Sequence, residues 1–292
     1  MIRRVAAVAW KLRRIRGDSG YFGHFHDLVS EAHDEGAEVV VFPELHVMEL
    51  LSLEPLLKPH QAAIYLAQYA DAIEGWLQRI SDSSGLTIIG GSHFRETPDG
   101  ILNIGAIATP GEPLKFAPKN RLTRFEKEVW DLANGSSLYA PGNGLGVTIC
   151  YDSEFPEAGR ALAEAGTTIH CVPAWTETRR GFQRVRWSCL ARAVENQNFV
   201  VHASLVGGFG VEPVPESYGS SAIIAPSVEP FPSEAILRET ELQEEGVIVS
   251  DLNLARLAEA REKGEVSNWE DRHPKVWEVR PYEPNSALEP EG

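Results

Sequence analysis

GVTICYDSEFPEAGRAL, residues Gly146 to Leu162, sets how the rest of the chain is read. An apolar run ends at Cys150, a polar turn follows, and Pro156 stands where the first turn of a helix accepts it. The segment reads as strand, turn and helix, with a cysteine at the end of the strand. A nucleophile on such a turn is exposed at a site edge, with backbone N–H groups nearby to receive an oxyanion. The competing reading is a small buried hydrophobe, the fate of most free cysteines. Cys171 and Cys189 fit that second description better, since each lies inside an apolar strand or helix pattern.

The same alternation runs outward in both directions. Val5 to Trp10 is a short apolar run, the first strand. Phe22, Phe25, Val29 and Ala32 recur at spacings of three and four, the mark of an amphipathic helix. Glu38 to Phe42 is a strand, Gln61 to Ser81 a helix, and Leu86 to Gly91 and Ile101 to Ala108 are strands around a turn-rich tip at Thr97 to Gly100. Beyond the cysteine come a helix from Pro156 to Ala165, a strand from Thr168 to Val172 and a helix from Gly181 to Asn196. Strands follow at Phe199 to Ser204, Ser221 to Ala225 and Val247 to Leu252, then a last helix from Leu254 to Lys263. Mostly apolar strands joined through helices predict an α/β fold with sheets covered by helical layers. No internal repeat or low-complexity linker divides the chain. It reads as one domain over residues 1–266 and an extended arm, rich in Pro, Trp and charge, over 267–292.

Composition narrows the function. Of 292 residues, 43 % are hydrophobic and 24 % charged, globular values that exclude wholesale disorder. The formal net charge of −15 repels phosphate backbones and anionic lipid, so neither nucleic acid nor a membrane surface is the expected partner. No apolar run reaches the length of a membrane-spanning helix. The start, MIRRVAAVAWKLRR, is too short in its apolar part for a secretion signal. Three cysteines make no disulfide framework, so a reducing cytoplasm is expected. There is no HExxH, no CxxC pair and no EF-hand loop, so no metal and no other cofactor is expected.

Two further segments carry possible chemistry. In VVVFPEL, Val39 to Leu45, Glu44 sits just past the end of an apolar strand, the edge where ligands bind in open α/β sheets. The bland alternative is a solvated loop acid. In FAPKNRLTRFEKEVW, Phe116 to Trp130, Lys119 and Glu126 are seven apart, two helical turns if the segment is helical. Taken alone it reads as an exposed charged loop.

Together and in this order, FPE, KNRLTRFE and ICYDSEFPE resemble the nitrilase superfamily of carbon–nitrogen hydrolases, whose signature is a Glu–Lys–Cys triad. PAWTETRRGF and RVRWSCLARAVENQNFVV extend the resemblance, Arg192, Glu195 and Asn196 matching its RAxEN segment; in all it spans about Val5 to Leu252. LTRFE and ICYDSEFPE look like the branch often fused to an acetyltransferase-like domain, for which this chain is expected to have no room. The resemblance implies a four-layer αββα sandwich that pairs into a homodimer or higher homo-oligomer. It implies Glu44 as general base, Lys119 as the cation, Cys150 as nucleophile and Glu126 as the group holding Lys119 or the substrate amine. The implied activity is hydrolysis of a small linear amide to acid and ammonia through a thioester. A nitrile substrate is the nearer alternative, and a non-catalytic binding or assembly role the more distant one. A papain-like pairing of Cys150 with His170 or His202 is a rival without support in the sequence around the cysteine.

The chain also departs from the family. Ala9 and Trp10 stand where members commonly have Gln late in the first strand. Trp175 replaces a small residue or Cys and would narrow a pocket. Ser153 and Glu154 follow where carbamoyl-amino-acid hydrolases place two arginines, so that specificity is not expected. For substrate binding, the Tyr151 backbone N–H and His46 are candidates. Trp175 either lines the pocket or packs in the sandwich, its place after a strand end favouring the pocket. Arg179 or Arg180 either clamps a substrate carboxylate or forms a solvated loop pair. Arg192 and Glu195 are assigned to structural ion pairing.

Overall fold

A computed structural model describes residues 1–272, and the rest of the expected C-terminal arm lies outside the described residues. The first sheet contains β1 (Ile2–Lys11), β2 (Val39–Val41), β3 (Thr87–Ile89), β4 (His93–Thr97), β5 (Gly100–Ala108), β6 (Lys115–Pro118) and β13 (Gly246–Asn253). The second contains β7 (Tyr139–Gly142), β8 (Leu145–Val147), β9 (Ile169–Ala174), β10 (Phe199–Val206), β11 (Ala222–Ile224) and β12 (Ile236–Glu239). A short parallel seam, Trp10 with Leu205 and Lys11 with Val206, joins β1 to β10 and makes the two sheets continuous. β1, β2 and β3 are mutually parallel, as are β8, β9 and β10. β13 closes the far side of β1 as an antiparallel partner over eight residue pairs, from Ile2 with Asn253 to Ala9 with Gly246.

Strand alternation sorts the side chains into layers. Val5, Ala7, Val39 and Val41 point between the sheets and meet Leu145, Ile169, Cys171, Phe199 and Val201. The alternate residues of β1, Ala6, Val8 and Trp10, point outward under the helices α1 (Asp18–Asp34) and α3 (Ala70–Ser84). On the opposite outer face, Val172, Ala174 and Val200 pack on Val185, Cys189 and Ala193 of α6 (Arg179–Asn196). Three apolar layers between four structural layers make the αββα sandwich that the resemblance implies. Both faces of the sheets are buried, which is why the strands read as near-continuous apolar runs rather than alternating ones.

Boundaries differ from the expectation in instructive places. The expected helix from Gln61 to Ser81 is two, α2 (Ala62–Ala67) and α3. β4, β6, β7 and β12 were not expected. β4, HFRET, carries only two buried residues, and a short, largely solvated edge strand leaves little apolar signal. The remaining helices are α4 (Arg124–Glu128), α5 (Pro156–Glu164) and α7 (Leu254–Lys263). Among the described residues no helix is long and apolar enough to cross a membrane.

Candidate active site

Four strand ends converge on one cavity of about 200 Å³. Glu44 follows β2, Lys119 follows β6, Cys150 follows β8, and Trp175 follows β9. The turn bearing Glu44 is held by its neighbour in the sheet. The backbone N–H of Leu45, itself at φ +50°, donates to the Ser92 carbonyl (3.1 Å) and Ser92 Oγ (3.2 Å). Gly91 (φ +65°) passes so close that a Cβ there would lie 1.9 Å from the Pro43 carbonyl oxygen, so only glycine fits.

Lys119 is 2 % exposed and carries the centre of the site. Its Nζ donates to Glu44 Oε1 at 2.6 Å and lies 2.8 Å from each Glu126 oxygen. The expected helical relation between Lys119 and Glu126 is absent. Lys119 is in a loop, and Glu126 is brought back to it by the first turn of α4. There its Oε2 also accepts from the Thr123 backbone N–H (2.8 Å), while Thr123 Oγ1 caps the Glu126 N–H (3.3 Å). Asn103, fully buried on β5, donates from one Nδ2 to both Glu44 Oε1 (2.9 Å) and Glu126 Oε1 (3.0 Å).

Cys150 opens a tight helical turn, Cys150–Glu154, at φ +46°, a strained conformation for a side-chain-bearing residue. Its Sγ donates to the Trp175 carbonyl (3.4 Å), and the Trp175 backbone N–H donates to Glu44 Oε2 (2.9 Å). Asp152, two residues on, accepts from the backbone N–H groups of Asn120, Arg121 (2.7 Å) and Ile149 (3.3 Å), tying the lysine loop to the cysteine turn.

Electrostatics fix the resting protonation. Burial opposes the Lys119 charge, but Glu126 and Glu44 outweigh it and hold its pKa above the ordinary range. Burial likewise opposes ionisation of Glu126, yet Lys119, with the Thr123 and Asn103 hydrogen bonds, brings its carboxyl below the usual range. Glu44 is pushed up by burial against the pull of Lys119, with Glu126 adding to the rise. Burial, and then Glu44, push the Cys150 thiol well above its ordinary value; Lys119 offsets only part of this. These shifts keep the resting Cys150 side chain a thiol, with the Glu44 carboxyl beside it.

The other expected site residues divide. Tyr151 and Trp175 line the cavity, and Trp175 stacks on Trp130 (5.8 Å between ring centroids, 19° between planes) while its Nε1 donates to Ser217 Oγ (2.8 Å). His46 does not line it. The turn at Leu45 sends it into the aromatic cluster under α1, where Nε2 donates to the Gly90 carbonyl (2.9 Å) and Nδ1 pairs with the Tyr21 hydroxyl (3.1 Å). Burial pushes its pKa down to about 3, so it is a neutral packing residue. Arg179 is also outside the cavity. It starts α6 after the Thr178 cap and lies on an outer groove with Arg180 and Trp187. His170 and His202 do not line the cavity; the first pairs with Thr148 Oγ1 (2.8 Å), the second with Arg186 Nε (3.2 Å). Arg192 and Glu195 form the expected ion pair (3.2 Å). Among the described residues no group of His, Cys, Asp or Glu is placed to hold a metal ion.

Sequence reasoning passed over Asn103, Asp152 and Trp130. Asn103 had a signal, an amide inside the apolar run ILNIGAIA, where burial requires a polar partner. Asp152 adjoins the cysteine but looks like any turn acid.

Comparison with known proteins places this geometry. A family model described as carbon–nitrogen hydrolase matches residues 4–262. The chain is 29 % identical over 281 residues to a probable hydrolase, YhcX, of Bacillus subtilis; the match covers 95 % of the chain but only 55 % of that relative. It is 27 % identical over 278 residues to the omega-amidase NIT2 of Danio rerio, covering 89 % of the chain and 91 % of the relative. Among solved structures, a variant of the amidase from Nesterenkonia sp. AN1 superposes with a TM-score of 0.73 at 22 % identity, over 93 % of this chain and 94 % of that one. That structure carries the acetamide moiety of fluoroacetamide on its active-site cysteine.

Proposed function

The chain belongs to the carbon–nitrogen hydrolase family, and on that premise we propose that it is an amidase. It cleaves the non-peptide C–N bond of a small linear amide, releasing acid and ammonia through a thioester on Cys150. One observation carries the reading: Glu44, Lys119 and Cys150 line a single cavity, with Lys119 hydrogen-bonded to Glu44 and both Cys150 and Glu44 hydrogen-bonded to the Trp175 backbone. The covalent adduct on the cysteine of the Nesterenkonia amidase supports it.

The steps follow from the resting protonation. Cys150 Sγ attacks the amide carbon as Glu44 takes the thiol proton, and the carbonyl oxygen becomes an oxyanion. Lys119 has three N–H donors. One serves Glu44, one is shared by the two Glu126 oxygens, and the third is left for the oxyanion beside the Tyr151 backbone N–H. Glu44 returns its proton to the nitrogen, the C–N bond breaks and ammonia leaves. Water, deprotonated by Glu44, then attacks the thioester; the acid departs and the thiol is restored. Glu126 keeps Lys119 charged and in place, a positioning role. Placement in the acetyltransferase-fused branch rests on LTRFE and ICYDSEFPE.

The test is ammonia release across a panel of short primary amides, with intact-mass detection of an acyl adduct that Cys150→Ala abolishes. No ammonia and no adduct from any amide, with the fold intact, would overturn the proposal.

A further inference from the structure

The charges around the cavity say what the far end of the substrate carries. Glu44, Glu126, Glu154 and Glu177 line it against two cations, Lys119 and Arg184. Lys119 is engaged by Glu44 and Glu126. Arg184 Nε lies 3.4 Å from the Glu154 carboxylate. Glu177 forms no ion pair among the described residues, and the charged group acting on it is another acid, Glu212. Partial burial, with Glu212 adding, pushes its carboxyl above the usual range, as expected of a carboxylate lacking a cation. Glu177 and Arg184 are both exposed and stand at the open end of the cavity, where Arg184 is taken up by Glu154.

Four aromatic side chains also line it, Phe125, Tyr151, Trp130 and Trp175, the last two stacked, and threonines, Gly181 and Val185 complete the wall. Aromatic faces beside an uncompensated carboxylate attract a cation twice, through the ring quadrupole and through charge. A substrate carboxylate would meet the opposite. Arg179, a candidate clamp for one, lies outside the cavity, and the whole chain carries −15.

Building on the amidase reading, we propose that the substrate is a short linear amide bearing an ammonium or guanidinium group at the end remote from the scissile bond. Glu177 and the Trp175–Trp130 wall receive that group. The cavity of about 200 Å³ limits it to a small chain.

Two measurements test this, and the first does not depend on turnover. Cys150 is alkylated with iodoacetamide in the presence of pentylammonium or of pentanoate, read by intact mass. Pentylammonium should protect at concentrations about tenfold lower than pentanoate, and Glu177→Gln should erase most of that difference. In the second, three amides of matched length, with ammonium, neutral and carboxylate ends, are compared by kcat/KM. The ammonium amide should be preferred over the carboxylate amide by about a hundredfold, and Glu177→Lys should cut the ratio at least tenfold. Equal or better protection by pentanoate, or faster turnover of the carboxylate amide, overturns the inference while leaving the amidase reading intact. Failure of every amide with cation protection retained counts against the amidase reading instead.

Discussion

Replacing Asn103 by Leu tests how Glu44, the proposed general base, is tuned. The side chain is fully buried, and its Nδ2 is the group shared by Glu44 (2.9 Å) and Glu126 (3.0 Å). Its Oδ1 has no partner, so an apolar residue of similar size removes an orphaned acceptor along with the donor. A hydrogen bond to a charged group contributes roughly 1.5–3 kcal/mol. If Lys119 and the Trp175 N–H recover about half of what Glu44 loses, about 0.75–1.5 kcal/mol less favours its ionised form, up to about one pH unit. The sign follows from the role. Glu44 must be unprotonated to accept the thiol proton, so activity rises as pH passes its titration. Weaker stabilisation of the carboxylate moves that acid limb to higher pH. The assay is kcat/KM against pH for wild type and Asn103→Leu on one amide. An upward move of up to about one pH unit is expected, with activity partly recovered at alkaline pH. A move of less than about 0.3 pH unit, or a loss equal at every pH, would refute the idea that Asn103 tunes Glu44.

Lys119→Arg should lower turnover about 10²- to 10³-fold although the charge is kept, because a planar guanidinium cannot take the place of a compact ammonium between two carboxylates; activity within about threefold of wild type would show that only bulk field matters. Native iodoacetamide should label Cys150, which lines the cavity, ahead of Cys171 and Cys189, which are fully buried in the core; equal labelling of all three would count against a cavity opening on Cys150. Exhaustive chelation should leave amide turnover unchanged, and a loss restored by zinc would defeat the three-residue mechanism. Light scattering at micromolar concentration should give at least a dimer, and a monomer would refute that expectation.

How far the sequence discloses the site depends on the kind of contact that builds it. Cys150 and Glu44 were readable because each ends an apolar strand, and strand ends are where such folds bind ligands. Lys119 in isolation was a charged loop residue. Its charge is matched because Glu126 folds back from seven residues on while Glu44 arrives from another segment and Asn103, from a third, binds both carboxylates, and no local pattern encodes that meeting. His46 shows the opposite failure. It is two residues from Glu44, yet the left-handed turn at Leu45 sends it into the aromatic packing under α1. Arg179 looked suited to a substrate anion, but the Thr178 cap starts a helix that carries it to the outer surface. Side-chain direction at turns decides both cases, and sequence proximity does not record it.

The pairing of β1 with β13 has a consequence for the birth of the chain on the ribosome. β1 is made long before β13, and its residues 2–9 wait for partners at residues 246–253. β2 pairs only with Val5 to Ala7 and β10 only with Trp10 and Lys11, so one side of an apolar strand has no lasting hydrogen-bond partner until residues 246–253 have been synthesised. Contacts this distant in sequence form slowly, and an unpaired apolar edge recruits other chains in the meantime. Truncation before Gly246 should therefore yield aggregates rather than a folded, inactive enzyme. The site whose residues lie between 44 and 185 is hostage to a strand that lines none of it.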